Sequence, residues 1–156
     1  MRVLVVAVGK LKSGPEAALV EDYLARANAS GRALALTPFD LIEIDARAGG
    51  DPRKEAVGVL KATPDESVKV LLDERGADIG SRQLAQKLAA WRDQGRACVT
   101  FWVGGADGAS QSLKDQADEK IALGRQTWPH KLVRAMLAEQ LYRASTILGQ
   151  SPYHRD

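Results

Sequence analysis

The stretch that decides the fold is "RVLVVAV" at residues 2–8, an unbroken apolar run rich in β-branched side chains. A strand with one solvated face alternates apolar and polar residues, but this run does not alternate, and Gly9 ends it. The run therefore predicts a strand buried on both faces, as in a parallel sheet with helices on either side.

Strand-like and helix-like segments alternate along the rest of the chain. Further strands are predicted at residues 39–45, 67–73, 97–103 and 120–123. Helices are predicted at residues 15–30, 51–62, 81–94, 113–119 and 129–148, with Asp51 and Ser81 as N-caps. This alternation indicates an α/β architecture with a mostly parallel sheet. No linker, repeat or low-complexity stretch interrupts it, so residues 1–156 are predicted to form a single domain.

The composition is that of an ordinary globular domain. The chain has 156 residues, of which 45% are hydrophobic and 27% are charged. Its one cysteine, Cys98, lies in an apolar run and is expected to be structural, so no disulfide can form within the chain. The N-terminal segment resembles neither a signal peptide nor a membrane span. We therefore expect a cytoplasmic protein without a membrane partner.

The net charge of +2 is too small to indicate nucleic-acid binding by itself, but its distribution is uneven. Between residues 125 and 155 five cations accompany one acid, Glu139; the cations are Arg125, Lys131, Arg134, Arg143 and Arg155. Lys10 and Lys12 form a second basic group after the first strand. Such a surface suits a phosphate backbone, although a solvated face explains the charges equally well.

Ligands of parallel sheets bind where strands end, which directs attention to the loops 73–80, 104–110 and 123–129. The sequence "VGGADG" at 103–108 follows a strand, but it is neither a dinucleotide fingerprint nor a P-loop, and a tight turn also explains it. The chain has no nucleophile elbow, and its two histidines, His130 and His154, do not have metal-ligand spacing. No metal site is predicted. An enzyme with these residues would work by positioning a reactive cofactor.

The last helix is apolar over a wide arc, which indicates burial on two sides. One side is expected to pack on the sheet and the other on a second subunit, most simply across a two-fold axis. A central helix within one core is the alternative.

Six motifs occur in a specific order: "VAVGK", "FDLIEI", "LLDERG", "VGGADG", "WPHKLVRAMLAEQLYRA" and the terminal "PYHRD". Together they resemble the ribosomal RNA large subunit methyltransferase H family of the SPOUT superfamily, over essentially the whole chain. The resemblance implies a C-terminal trefoil knot, a homodimer and the cofactor S-adenosylmethionine. It also implies a substrate, the N3 nitrogen of a pseudouridine in helix 69 of 23S rRNA within the assembled 70S ribosome.

The resemblance assigns roles to residues at matching positions. The cofactor site would be lined by Leu72, Gly104, Leu123, Gly124, Arg125, Gln126, Thr127 and Trp128. In the tail, His154 and Arg155 would help N3 lose its proton, and Tyr153 would stack on or hydrogen-bond the base. Arg143 would either pair with Glu139 or face a substrate phosphate, and His130 would shape the cofactor loop.

Three other functions compete with this reading. The chain could be a ribosome-binding or assembly factor that does not methylate, or a methyltransferase of the same architecture that acts on transfer RNA. A generic nucleotide-binding α/β protein is the third, and it leaves the tail unexplained.

Overall fold

The strands and helices expected from the sequence are present in the structure, a computed structural model that describes residues 1–45 and 51–155. The strands in these ranges are β1 (Arg2–Val8), β2 (Phe39–Ile44), β3 (Ser67–Asp78), β4 (Cys98–Val103) and β5 (Glu119–Ala122). The helices are α1 (Pro15–Gly31), α2 (Pro52–Ala62), α3 (Ser81–Asp93), α4 (Gln111–Gln116) and α5 (His130–Leu148). A short 3-10 turn (Arg32–Leu34) follows α1.

The five strands form one parallel sheet in the order β2-β1-β4-β3-β5. Strand β1 lies between two others, and its Val5 pairs with Leu41 of β2 on one side and with Phe101 of β4 on the other. Because all strands run the same way, their carboxyl ends lie at one edge of the sheet, which is where the chain can build a binding site. The predicted α/β architecture with a parallel sheet is confirmed.

Both faces of the sheet are buried, as the unbroken apolar run of β1 predicts. Successive residues of β4 show the arrangement: Phe101 packs in a core with α1, α3 and α5, and Trp102 packs in a second core with α2 and α4. Cys98 belongs to the second core, in agreement with its expected structural role. No helix within the described ranges combines the length and the apolar character needed to cross a lipid bilayer.

The N-terminal caps differ in one case from the prediction. Asp51 caps α2, accepting a hydrogen bond from the backbone N–H of Arg53 at 3.0 Å. Ser81 does not cap α3: Gly80 occupies the cap position, and the prediction was wrong. The Ser81 hydroxyl instead donates to Gln140 Oε1 of α5 at 2.6 Å. The Ser81 hydroxyl thus has its hydrogen-bond partner on another helix, although the local sequence pattern predicts a partner in its own helix.

Strand β3 is longer than predicted, because the expected loop after residue 73 continues as extended chain to Asp78. Its register breaks between Leu72 and Ala77, and both of these residues pair with Ile121 of β5. Residues 73–76, here called the β3 arch, therefore lie between two places where β3 meets the same residue. A Cβ added to Gly76 would lie 2.7 Å from backbone atoms of Lys120 and Ile121. The trefoil knot stays a prediction.

Helix α5 lies on the sheet beside α1 and α3. Its residues Leu137, Leu141 and Ala144 are fully buried in the core. Leu132 and Met136, on another side of the helix, are only half-buried. The helix thus retains apolar surface after the sheet has been covered.

Candidate active site

A cavity of about 790 Å³ opens at the carboxyl ends of β3, β4 and β5. Three segments line it: the β3 arch, the glycine-rich turn of residues 103–109 and the loop of residues 123–130. Seven of the eight residues assigned to the cofactor contribute to its wall, namely Leu72, Gly104, Leu123, Gly124, Gln126, Thr127 and Trp128. The eighth, Arg125, is exposed and is not part of the described lining.

The glycine-rich turn after β4 folds back tightly on itself. Gly105 and Gly108 form a bridge, and Gly108 has a φ of 78°. A Cβ on Gly104 would lie 2.9 Å from the backbone of Gly108 and Ala109. Glycine at position 104 is therefore required by the packing of the turn itself, whether or not a ligand approaches it.

Two hydrogen bonds fix the loop after β5, one between its two ends and one to the β3 arch. The indole N–H of Trp128 donates to the carbonyl of Leu123 at 2.9 Å. The hydroxyl of Thr127 donates to Glu74 Oε2 of the β3 arch, also at 2.9 Å. Trp128 keeps 37% of its surface exposed although it is part of the cavity wall. A large aromatic face is thus available to a planar ligand.

Charged groups that sequence reasoning missed also line the cavity, including Asp73, Glu74 and Lys114. Lys114 Nζ lies 3.6 Å from Asp73 Oδ2, whose side chain is only 12% exposed. The motif "LLDERG" contains both acids, but from the sequence it indicated only the family resemblance and not a charged cavity wall. The described residues contain no group of three or more His, Cys, Asp or Glu side chains placed to hold a metal ion.

His130, the first residue of α5, also lines the cavity. Burial lowers its pKa, and the positive charges of Arg134 and Lys131 lower it further. The imidazole is therefore neutral at pH 7 and presents one N–H donor and one nitrogen acceptor. A structural role that leaves His130 uncharged agrees with the expectation for a helix N-terminus, although burial is the larger cause.

Arg134 is not part of a basic surface, contrary to the prediction from charge, because it is only 2% exposed. Its guanidinium donates to the carbonyl oxygens of Val8 and Gly9 and to Glu43 Oε1, the last at 3.0 Å. Burial lowers the pKa of Arg134, and Glu43 opposes that shift. The side chain therefore fastens α5 to the carboxyl ends of β1 and β2.

The C-terminal tail folds back on α5. The Tyr153 hydroxyl donates to Glu139 Oε1 at 3.0 Å, and Arg143 Nε donates to the same oxygen at 3.0 Å. Arg143 also lies over the Tyr153 ring, 4.8 Å from its centroid, and 3.3 Å from His154 Nδ1. The predicted pairing of Arg143 with Glu139 is confirmed, and Arg155 is exposed.

The tail and the cavity are separate within one chain. Glu139 borders a second, more apolar groove of about 450 Å³, which also includes Leu19, Tyr23, Leu132 and Met136. The two hollows share Leu123 and Gly124, so the groove begins where the cavity ends. None of the tail residues 153–155 is part of the described cavity wall.

Known proteins resemble this chain in sequence and in fold. A family model described as "Predicted SPOUT methyltransferase" matches residues 1–154. The chain is 53% identical over 155 residues to a protein of Cereibacter sphaeroides named ribosomal RNA large subunit methyltransferase H, with 99% of each chain covered. It is 50% identical over 156 residues to the protein of that name from Paracoccus denitrificans, with both chains fully covered.

A solved structure resembles the fold at low sequence identity. It is that of a probable methylase family protein from Haemophilus influenzae, with a TM-score of 0.53 and 13% identity over 99% of this chain and 70% of that chain. This likeness concerns the fold alone. The family model and the full-length relatives carry the assignment: the chain belongs to the SPOUT methyltransferase family, in the group of the ribosomal RNA large subunit methyltransferase H proteins.

Proposed function

We propose that this chain methylates the N3 nitrogen of a pseudouridine in helix 69 of 23S rRNA, with S-adenosylmethionine as cofactor. The assembled 70S ribosome is the proposed substrate, and the cytoplasm the proposed location. The observation that carries the proposal is the cavity at the carboxyl ends of β3, β4 and β5, which the loop of residues 123–130 helps to line. Relatives that are named large-subunit rRNA methyltransferases support the choice of RNA.

The cavity suits S-adenosylmethionine in size and chemistry. Its volume of about 790 Å³ lies within the range of small-molecule sites. Leu72, Ile121 and the exposed face of Trp128 offer an apolar wall to an adenine ring, and Asp73 and Glu74 place carboxylates at a rim suited to a cationic cofactor. When bound, the cofactor supplies an already activated methyl group. No nucleophilic side chain is therefore required of the protein.

The protein's own task is to orient the base and handle one proton. N3 of pseudouridine carries a proton that must leave before or during attack. In the proposal His154 accepts this proton or Arg155 stabilises the resulting anion, while Tyr153 stacks on the base or hydrogen-bonds it. Arg143, already in contact with Tyr153 and His154, holds this group together or faces a phosphate.

A homodimer would bring the separated parts together. In one chain the tail contacts Glu139 at the border of the apolar groove, and none of its residues 153–155 is part of the described cavity wall. Leu19 is 42% exposed beside this groove, and covering such apolar surface with a second copy is favourable. The proposed dimer therefore combines the cavity of one subunit with the tail of the other.

The test is transfer of labelled methyl from S-adenosylmethionine to 70S ribosomes from a strain that lacks the modification. Purified 23S rRNA and bulk transfer RNA serve as parallel substrates, and the labelled base is mapped. We expect label at one pseudouridine of the ribosome. Label on transfer RNA alone would overturn the proposed substrate, and ribosome binding without label would support a non-catalytic binding factor.

The shared site is tested by mixing two inactive variants. One carries Gly104→Leu, which disrupts the glycine-rich turn of the cavity wall, and the other lacks residues 152–156. Mixed dimers regain one complete site if cavity and tail come from different subunits. Activity that stays at background in the mixture, with dimers confirmed by sedimentation, contradicts the shared site.

A further inference from the structure

The loop between β1 and α1, residues 9–14, is hydrogen-bonded to a buried arginine of α5. Arg134 of α5 donates to the carbonyl of Gly9 at 2.6 Å and to Glu43 at 3.0 Å. Burying an arginine is costly; the bonds from Nη1 and Nη2 offset that cost and fix the backbone at Gly9, whereas Nε has no partner among the described residues. Arg134 itself is not part of the described cavity wall.

The loop backbone is tied inward at two further points. The Gly9 N–H donates to the carbonyl of Ile44 at 2.6 Å, and the Leu11 N–H donates to Glu43 Oε1 at 2.8 Å. The Leu11 side chain packs against a small core of Val20, Ala135 and Ala138. An exposed connection between a strand and a helix is usually among the more mobile parts of a fold, but this one is anchored.

The two lysines of the loop are on the solvent side. Lys10 and Lys12 are both exposed, on either side of the inward-facing Leu11. Lys10 Nζ lies 2.9 Å from Asp45 Oδ1, with 52% of the lysine side chain and 74% of the aspartate side chain exposed. An ion pair so open to solvent contributes little, so a phosphate can replace the carboxylate at small cost.

The loop stands beside the cavity. β1 and β4 are neighbours in the sheet, with Ala7 paired to Val103, so the chain leaves both strands at the same edge. A Cβ on Gly105 of the cavity wall would lie 3.2 Å from Val8 Cγ1, at the end of β1. The lysines therefore flank the site where the proposed reaction takes place.

We propose that Lys10 and Lys12 form a contact surface for the phosphate backbone of the RNA, held rigid beside the cavity by Arg134 and Glu43. The inference rests on the proposed function, since it takes the substrate to be RNA. A pre-ordered pair of cations loses little conformational entropy on binding and fixes the register of a backbone without reading its sequence. The tail contacts the base, and this loop contacts the strand that carries it.

The experiment compares wild type with the double variant Lys10→Ala and Lys12→Ala. Affinity for 70S ribosomes is measured over a range of monovalent salt, together with cofactor affinity by calorimetry. Loss of two phosphate contacts is expected to lower the slope of log affinity against log salt by roughly 1.4 to 1.8, and the affinity about tenfold at 0.1 M salt. Cofactor affinity and the rate at saturating ribosomes stay unchanged, while KM rises.

The matched control is the double variant Lys61→Ala and Arg96→Ala. Both residues are exposed, and they lie near the amino ends of β3 and β4, at the opposite edge of the sheet. The inference is overturned if the loop variant keeps the wild-type salt slope, or if the control loses as much. Methyl transfer by wild type measures the proposed function separately: binding without transfer overturns the reaction but leaves this comparison intact.

Discussion

The Tyr153 hydroxyl donates a hydrogen bond to Glu139 Oε1 at 3.0 Å, which fastens the tail residues 153–155 to the helix that precedes them. Glu139 Oε1 also accepts from Arg143, and the Tyr142 and Tyr153 rings lie 4.6 Å apart between centroids. Burial, together with hydrogen bonds to Tyr23 and Glu139, raises the pKa of Tyr153, so the hydroxyl keeps its proton. Tyr153 of the tail thus has its partners within its own chain.

Tyr153→Phe is expected to loosen this tail without removing its ring. A half-exposed hydrogen bond to a carboxylate contributes about 1 kcal/mol, so kcat/KM for ribosomes should fall about fivefold. Tyr153→Leu, which also removes the ring, should lose considerably more. Cofactor affinity, measured by calorimetry, should be the same in both variants, and a loss of cofactor binding would contradict a role confined to the tail.

Trp128 should report on cofactor binding through its fluorescence. Trp91 and Trp102 are buried, whereas Trp128 is 37% exposed in the cavity wall. Titration with S-adenosylmethionine is expected to change the emission of wild type, and Trp128→Phe should abolish the change while weakening binding about fivefold. The control Trp91→Phe should retain the signal. A change that follows Trp91 instead would place the ligand elsewhere.

Gly76→Ala should destabilise the fold at the β3 arch. A methyl group at this position would meet the backbone of Lys120 and Ile121 at 2.7 Å, and a backbone cannot turn aside as a flexible side chain can. We expect a loss of about 3 kcal/mol in the free energy of unfolding, measured with denaturant. Gly80→Ala is the matched control, because its φ is −75° and a Cβ there would meet only Gln83 at 3.8 Å. That variant should lose at most about 1 kcal/mol, because it changes only the N-cap residue of α3.

Arg134→Met should cost about 3 to 5 kcal/mol in the free energy of unfolding. The substitution leaves Glu43 and the carbonyls of Val8 and Gly9 without their buried donor. Lys131→Met changes an exposed cation one turn away and should stay within about 0.5 kcal/mol of wild type. Equal losses of unfolding free energy in the two variants would mean that any substitution in α5 destabilises the protein, and that the buried contacts of Arg134 are not the cause.

His130 should make the protein less stable in mild acid. Its pKa is lowered in the folded state, so the unfolded chain binds more protons between that value and the ordinary histidine pKa of about 6.5. The free energy of unfolding therefore falls as the pH drops through this window, and the contribution vanishes above it. His130→Gln should show a weaker fall between about pH 7 and 5. Identical pH profiles would show that His130 is not the group responsible.

Local patterns were enough to predict the strands and most helices. The unbroken run of β1 predicted two-sided burial because both faces of a parallel sheet are covered, and the alternation of elements predicted the architecture. Asp51 before Pro52 predicted a helix start for purely local reasons. Such features depend on neighbours in the chain, which a sequence displays directly.

The remaining features depend on partners that are distant in sequence. Arg134 reads as a surface cation, since nothing nearby in sequence reveals that the ends of β1 and β2 meet it. The local sequence predicts Ser81 as a helix N-cap, but its hydroxyl donates a hydrogen bond to Gln140 of α5. The residues of the cavity wall were found through a resemblance to known motifs, and the acids Asp73 and Glu74 were not singled out because their role appears only when the β3 arch meets the loop after β5.

The order in which the cavity wall is assembled has a consequence for synthesis. Its residues run from Leu72 to Val133, and β5, the last strand to be made, sits at the edge of the sheet against β3. A nascent chain that ends before residue 119 has the central strands but no loop with Trp128 and no Arg134 to fasten β1. Because domains complete their folding as the last elements emerge, methyl-donor binding becomes possible only after the residues up to Val133 have been made. Truncated products of this chain are therefore expected to be inert and not partly active.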